Sequence, residues 1–166
     1  ADPIGPSPKA AAFDRGAFLE VGGFDERLFA YWEDVDLALK MLEAGGRCRL
    51  AADALGVHEH SATLGSGSRG KNYLTGFGRG YVLRKWGVLT PSRLPAVLAR
   101  DLVVLGGQAA IDRTVSGIGG RIRGWRASRH THPYPAAIAA RGGASPYFRN
   151  RQRRLQRRRK LSAPGP

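Results

Sequence analysis

The chain has 166 residues, 42% of them hydrophobic, which is enough for one ordinary domain with a real core and too little for several. Its 27 Lys and Arg against 13 Asp and Glu give a net charge of +14, all of it in the rear: residues 1–90 carry 11 basic and 11 acidic side chains, residues 91–166 carry 16 and 2. One cysteine excludes an internal disulfide framework, and Arg100 and Asp101 interrupt the best apolar run before it reaches the ~18–20 residues that span a bilayer.

In chain order, the opening ADPIGPSPK holds three prolines, shows no charged-then-apolar signal pattern, and reads as a linker or truncated lead-in over residues 1–9. A short apolar segment follows, with a helical turn expected around Arg15 to Val21 and a turn at Gly22-Gly23. From Asp34 the pattern becomes helical: Val35, Ala38, Leu39 and Leu42 form one stripe with Leu37, Met41 and Ala44 beside it, and Gly45-Gly46 stops it. RCRLA (47–51) and ALGVHEH (54–60) read as short strands, and Cys48 as a small buried hydrophobe suited to a reducing compartment.

A Gly/Ser loop comes next, then a helix carrying Tyr73, Leu74, Phe77, Tyr81 and Val82 on one face, in which Gly76, Gly78 and Gly80 each cost about 1 kcal/mol relative to Ala. An amphipathic helix is expected over residues 93–111. Beyond it periodicity fades, and a basic, disordered tail is expected over residues 129–166; eight of the twelve residues from Arg149 to Lys160 are Arg or Lys.

Three stretches carry chemistry. In WEDVD, Glu33 and Asp34 stand where a helix begins, so free N–H groups and the helix dipole favour their charge; for the cluster alone, capping by one of them is the preferred reading and a catalytic base the alternative. Tyr31 and Trp32 beside them offer an aromatic floor for an uncharged ring, and sugars are the commonest ligands that want both. In VHEH, His58 and His60 would share one face of a strand, a weak metal-ligand signal. GSGSRGKN nearly spells a phosphate-binding P-loop but places Asn72 where the metal-holding hydroxyl belongs, which leaves Arg69 and Lys71 as cations on a loop that can face phosphate.

Taken together, GGFDE (22–26), WEDVD (32–36), and His58 with Ser-Ala-Thr (61–63) ahead of a Ser/Gly loop with Lys71 resemble the carboxyl half of family 2 glycosyltransferases. The resemblance runs over about residues 10 to 86. It implies an α/β fold: part of a GT-A, Rossmann-like domain lacking its nucleotide-binding half, with its acceptor side over residues 10–90, a helical extension over 91–128 and the basic tail behind. It implies an inverting enzyme in which Asp34 is the base, Glu33 positions the acceptor, and Tyr31, Trp32 and Asp36 line the acceptor site. His58 would complete a divalent Mg²⁺ or Mn²⁺ site on the donor diphosphate, with Arg69 or Lys71 neutralising the leaving phosphates. The implied partners are a nucleotide sugar, a glycan or lipid-linked acceptor, and a chain supplying the donor-binding half.

The departures are the Asp-x-Asp donor half, which should precede residue 10, and Arg79-Gly80 where the family shows Arg-Asn. Without the donor half the chain is expected to be inactive alone. The tail suggests a cytoplasmic protein held at an anionic inner membrane surface. A non-enzymatic basic module binding nucleic acid or membrane is the competing reading, and a hydrolase built on His58, Glu59 and His60 lacks a third ligand.

Overall fold

A computed structural model describes Gly5, residues 11–51 and residues 67–139. These form helices α1 (Arg15–Glu20), α2 (Glu33–Glu43), α3 (Arg69–Lys85), α4 (Leu94–Ala110), α5 (Ser116–Ala127) and α6 (Ala136–Ala139). The chain divides after residue 135, so α1–α5 belong to one unit and α6 to a second.

The expected α/β, Rossmann-like fold is corrected here: the described residues contain no strand and no sheet. Residues 47–51 run without regular structure, and Leu50, which should have faced a core, is 81% exposed. Five alternating residues are a short signal, and a strand exists only where a neighbour satisfies its backbone. Its expected partner, residues 54–60, lies outside the described residues, as do the Ser-Ala-Thr run and most of the basic tail.

Short-range chemistry sets the helix starts. Asp14 accepts the Ala17 N–H at 2.8 Å to cap α1, and Ser68 accepts the Lys71 N–H at 3.1 Å to cap α3. Gly22 and Gly23, at φ of 75° and 60°, make the turn after α1, and Phe13, Phe18 and Phe24 pack their rings around it.

α3 is the hub. Leu28, Leu37, Ala38 and Leu39 are buried with Tyr81, Val82 and Trp86 to form the core. Val35 stays exposed while Asp36 is buried, so the inner face of α2 is rotated from the expected stripe. The rotation has a polar cause: Asp36 Oδ1 accepts from Trp86 Nε1 and Oδ2 from Lys85 Nζ, both at 2.8 Å.

The opposite side of α3 meets α5. Ser116 Oγ donates to the Arg69 carbonyl near the start of both helices, and Arg84 donates to the Trp125 carbonyl near their ends, so the two run parallel. Glycines make the seam. A Cβ on Gly76 would meet the Gly117 carbonyl oxygen at 2.3 Å, and one on Gly124 the Phe77 carbonyl at 2.0 Å. The segment after residue 115, in which apolar periodicity fades, is a helix whose glycines serve packing. α4 spans the two by its Asp101, which accepts from Arg79 Nε and, at 3.1 Å, from Arg121 Nε. Residues 131 and 132, expected within the tail, instead donate their N–H groups to the Lys85 carbonyl at 3.1 Å each, and the His132 ring stacks on Trp86.

Candidate functional site

The WEDVD segment opens α2 in an unusual way. Tyr31 and Trp32 both hold positive φ, 67° and 76°, a left-handed conformation that costs a non-glycine residue about 1–3 kcal/mol each. Trp32 occupies the N-cap position yet makes no capping hydrogen bond with its side chain. The first-turn carboxylates, not Trp32, meet the free N–H groups of α2, and the backbone ahead of them is bent at a cost and held from outside. Gly78 of α3 supplies the space, since a Cβ there would sit 2.5 Å from the Tyr31 carbonyl oxygen and 2.8 Å from Trp32 Cβ. Arg79 sets its guanidinium 5.5 Å from the centre of the Trp32 ring.

The bend delivers Glu33 and Asp34, both half-buried, to the first turn of α2. Burial pushes the Asp34 carboxyl above its ordinary range, although N–H groups of Val35 and of its own backbone partly offset it. Burial does the same at Glu33, against its own N–H and with help from the Asp34 charge. Glu33 Oε2 is a buried oxygen without a hydrogen-bond partner. A carboxylate shielded from water is a stronger base, and an unpartnered acceptor oxygen is where an incoming hydroxyl would bond.

Asp36 sits apart from these two. Its carboxylate is fully buried between Lys85, Trp86 and Lys40, whose Nζ lies 3.3 Å away. Such a group orients helices and presents no free face to an acceptor. Lys85 also donates to Asp25 of the GGFDE turn at 2.8 Å, and Tyr81 donates to the same oxygen at 2.9 Å. Burial alone would lower the Lys85 pKa, but its hydrogen bonds and charge pairing with Asp25 and Asp36 hold it above the ordinary value. Burial would raise Asp25; hydrogen bonds from Lys85 and Tyr81 outweigh it and hold the carboxyl below its usual range. Lys40 Nζ reaches back to the Gly23 carbonyl at 2.9 Å. The two motifs, GGFDE and WEDVD, are thus joined through α3.

Asp25, Gly78, Arg79 and Lys85 escaped the sequence reading as parts of this site. The usable signals were Asp25 inside a quoted motif and Arg79 at the family's Arg-Asn position; Gly78 and Lys85 gave none, because their role depends on which helix face meets α2. Arg69 and Lys71 stand in the first turn of α3, seven to nine residues from Gly78, about 10–14 Å along the axis from the contact with Trp32. They are not gathered around the carboxylates. His58 lies outside the described residues, and among the described residues no three His, Cys, Asp or Glu side chains converge to hold a metal ion.

No protein-family model matches the chain, and no solved structure matches it. Among curated proteins it is similar to the pre-mycofactocin glycosyltransferases of Mycobacterium tuberculosis strains CDC 1551 / Oshkosh and ATCC 25618 / H37Rv, with 45% identity over 58 residues in each case. The match covers 34% of this chain and 12% of each relative, so the chain spans only a small part of their length. A local relation to a glycosyltransferase, and hence to a transferase, is what this similarity supports.

Proposed function

We propose that the chain forms the acceptor side of an inverting family 2 glycosyltransferase, which moves a sugar from a nucleotide-sugar donor to a glycan or lipid-linked acceptor. The observation that carries the reading is the bent Tyr31-Trp32 backbone that presents two desolvated carboxylates, in a chain locally related to a glycosyltransferase. Asp34 takes the proton from the acceptor hydroxyl as its oxygen bonds to the anomeric carbon. The bond from that carbon to the donor diphosphate breaks, and its electron pair leaves with the nucleoside diphosphate. Glu33 Oε2 accepts a hydrogen bond that orients the acceptor, and the indole face of Trp32 not covered by Arg79 receives a sugar ring.

Arg69 and Lys71 contribute positive charge toward the leaving phosphates from the start of α3. The resemblance assigns a divalent metal to His58; the chemistry of Asp34 and Glu33 stands without it. In this reading the donor-binding half that the resemblance implies comes from another segment or a partner chain, and the 166-residue chain depends on it for transfer.

Replacing Asp34 by Asn in the native active protein tests the base. Turnover should fall about 10²–10⁴-fold with a smaller change in acceptor KM; turnover close to that of the unaltered enzyme would sink the assignment. Transfer from a labelled nucleotide sugar by the isolated chain would equally refute its dependence on a partner.

A further inference from the structure

α4 and α5 wear their large apolar side chains on the outside. On α5 the row turned toward α3 is Gly117, Gly120 and Gly124, which puts Ile118 and Ile122 on the open side and Trp125 at its edge, part-exposed with the Arg84 guanidinium 5.4 Å from its ring centre. On α4 the inner row mixes the half-buried Val97 and Leu105 with polar groups, Asp101 tied to Arg79 and Arg121 and Gln108 bonded to Asn72. That leaves Leu94, Leu98 and Leu102 as an i, i+4, i+8 stripe in solvent, with Leu102 71% exposed, and Ile111 in the connection 82% exposed. Small residues inside and large aliphatic ones outside is how helices pack when the surroundings are lipid, because tight packing then rests on close backbone approach.

No helix among the described residues is long and apolar enough to cross a membrane, so these helices can only lie along one. Charge selects the lipid. Between residues 91 and 135 there are seven arginines and two aspartates. Asp101 is occupied by two arginines and Asp112 accepts from Asn72, while Arg100, Arg113, Arg123, Arg126 and Arg129 are exposed. A second copy of the chain would bring the same positive charge to the contact, whereas anionic headgroups oppose it and acyl chains take the leucines.

We infer that the α4 stripe of Leu94, Leu98 and Leu102, with the outer row of α5, is a docking surface that inserts into the interface of an anionic lipid bilayer. This site is separate from the polybasic run at residues 149–160 and does not depend on the transfer reading. Insertion and simple charge attraction differ in salt response, because at about 1 M salt the Debye length shrinks to ~3 Å and exposed charges are screened.

The experiment is co-sedimentation of the whole chain with vesicles of mixed phosphatidylserine and phosphatidylcholine, and of phosphatidylcholine alone, at low and at about 1 M salt. Binding should favour the anionic vesicles and persist in part at high salt, and Leu98→Glu with Leu102→Glu should lower that residual binding at least about tenfold. Tryptophan emission should be quenched by lipids brominated on the acyl chains, and Trp125→Phe should remove most of the quenching. Absent vesicle binding, binding unaffected by the leucine changes, or a double variant that merely dissociates a dimer would each overturn the inference. If the double variant fails to fold by circular dichroism, the quenching of the unaltered chain decides, and no quenching by acyl bromine refutes insertion.

Discussion

Two faces of the same helix hold the molecule together by opposite means. Toward α2, α3 presents Lys85 and Tyr81, with Trp86 just past its end, and these grip the carboxylates of Asp25 and Asp36 through directed hydrogen bonds of 2.8–2.9 Å. Toward α5 it presents Gly76 and Gly80, and the contact exists because side chains are missing. Gly78 lies on the charged side and does for the bent Tyr31-Trp32 backbone what the other two do for α5. The polar face fixes orientation, since its partners must meet at defined angles. The glycine face fixes distance only, and it spends no apolar side chains, which is why those remain for an outer surface.

The largest effect should come from the polar face. Asp36→Ala leaves the Trp86 N–H buried without an acceptor and takes from the Lys85 ammonium one of its two carboxylate partners, and should destabilise the fold by about 3–4 kcal/mol in urea titration. Adding Lys85→Met should give no recovery, because Asp25 then loses its ammonium partner as well; a recovery would mean that the network is not held by charge.

The glycine face should give effects of opposite sign at adjacent positions. Gly120→Ala places a Cβ about 2.1 Å from the Tyr73 carbonyl and should cost about 1–3 kcal/mol, as the helices separate. Gly119→Ala, with open space around its Cβ, should stabilise by about 0.5–1 kcal/mol through helix propensity alone. Equal effects at the two positions would break the distinction between the faces.

A milder change links the hub to the site. Gly78→Ala pushes on the Tyr31 carbonyl and should lower transfer activity about tenfold or more, as misplaced catalytic groups do, while stability falls by only about 1 kcal/mol. Stability curves and turnover measured on one variant would separate the two.

The pH dependence should be the smallest effect near neutrality and should show both kinds of carboxylate. Asp25 has a lowered pKa, so its stabilisation is present above its ordinary 3.8 and disappears as pH falls through the lower folded value. Glu33 and Asp34 have raised values, so their ionisation opposes folding, and lowering the pH through those values relieves the opposition. Lys85 stabilises below its ordinary 10.5, and that support goes as pH rises through the higher folded value. The melting temperature should therefore rise slightly as pH drops from neutral into the upper carboxylate range, then fall in strong acid, and fall again in strong alkali. Loss of the slight rise in Glu33→Gln with Asp34→Asn would assign it to that pair, and persistence would remove them as its source.

Local pattern was enough to find α2 and α3, to foresee a helix near residues 93–111, and to single out Trp32, Glu33 and Asp34, because apolar spacing and clustered charge are properties of neighbours in the chain. It misled over residues 47–51, where a run of five alternating residues takes no regular structure. It undervalued α5, whose glycines lower helix propensity while permitting contact. It treated Asp36 as one with Asp34, although two residues along a helix turn a side chain by about 200° and so from the site to the interior. The sequence by itself determined the helical segments and the grouping of charge, both set by short-range forces. Only the tertiary structure decided which carboxylates are buried and which face of α3 meets which helix, because burial and close approach depend on residues 40 and more positions apart, such as Asp36 with Lys85 and Phe77 with Gly124.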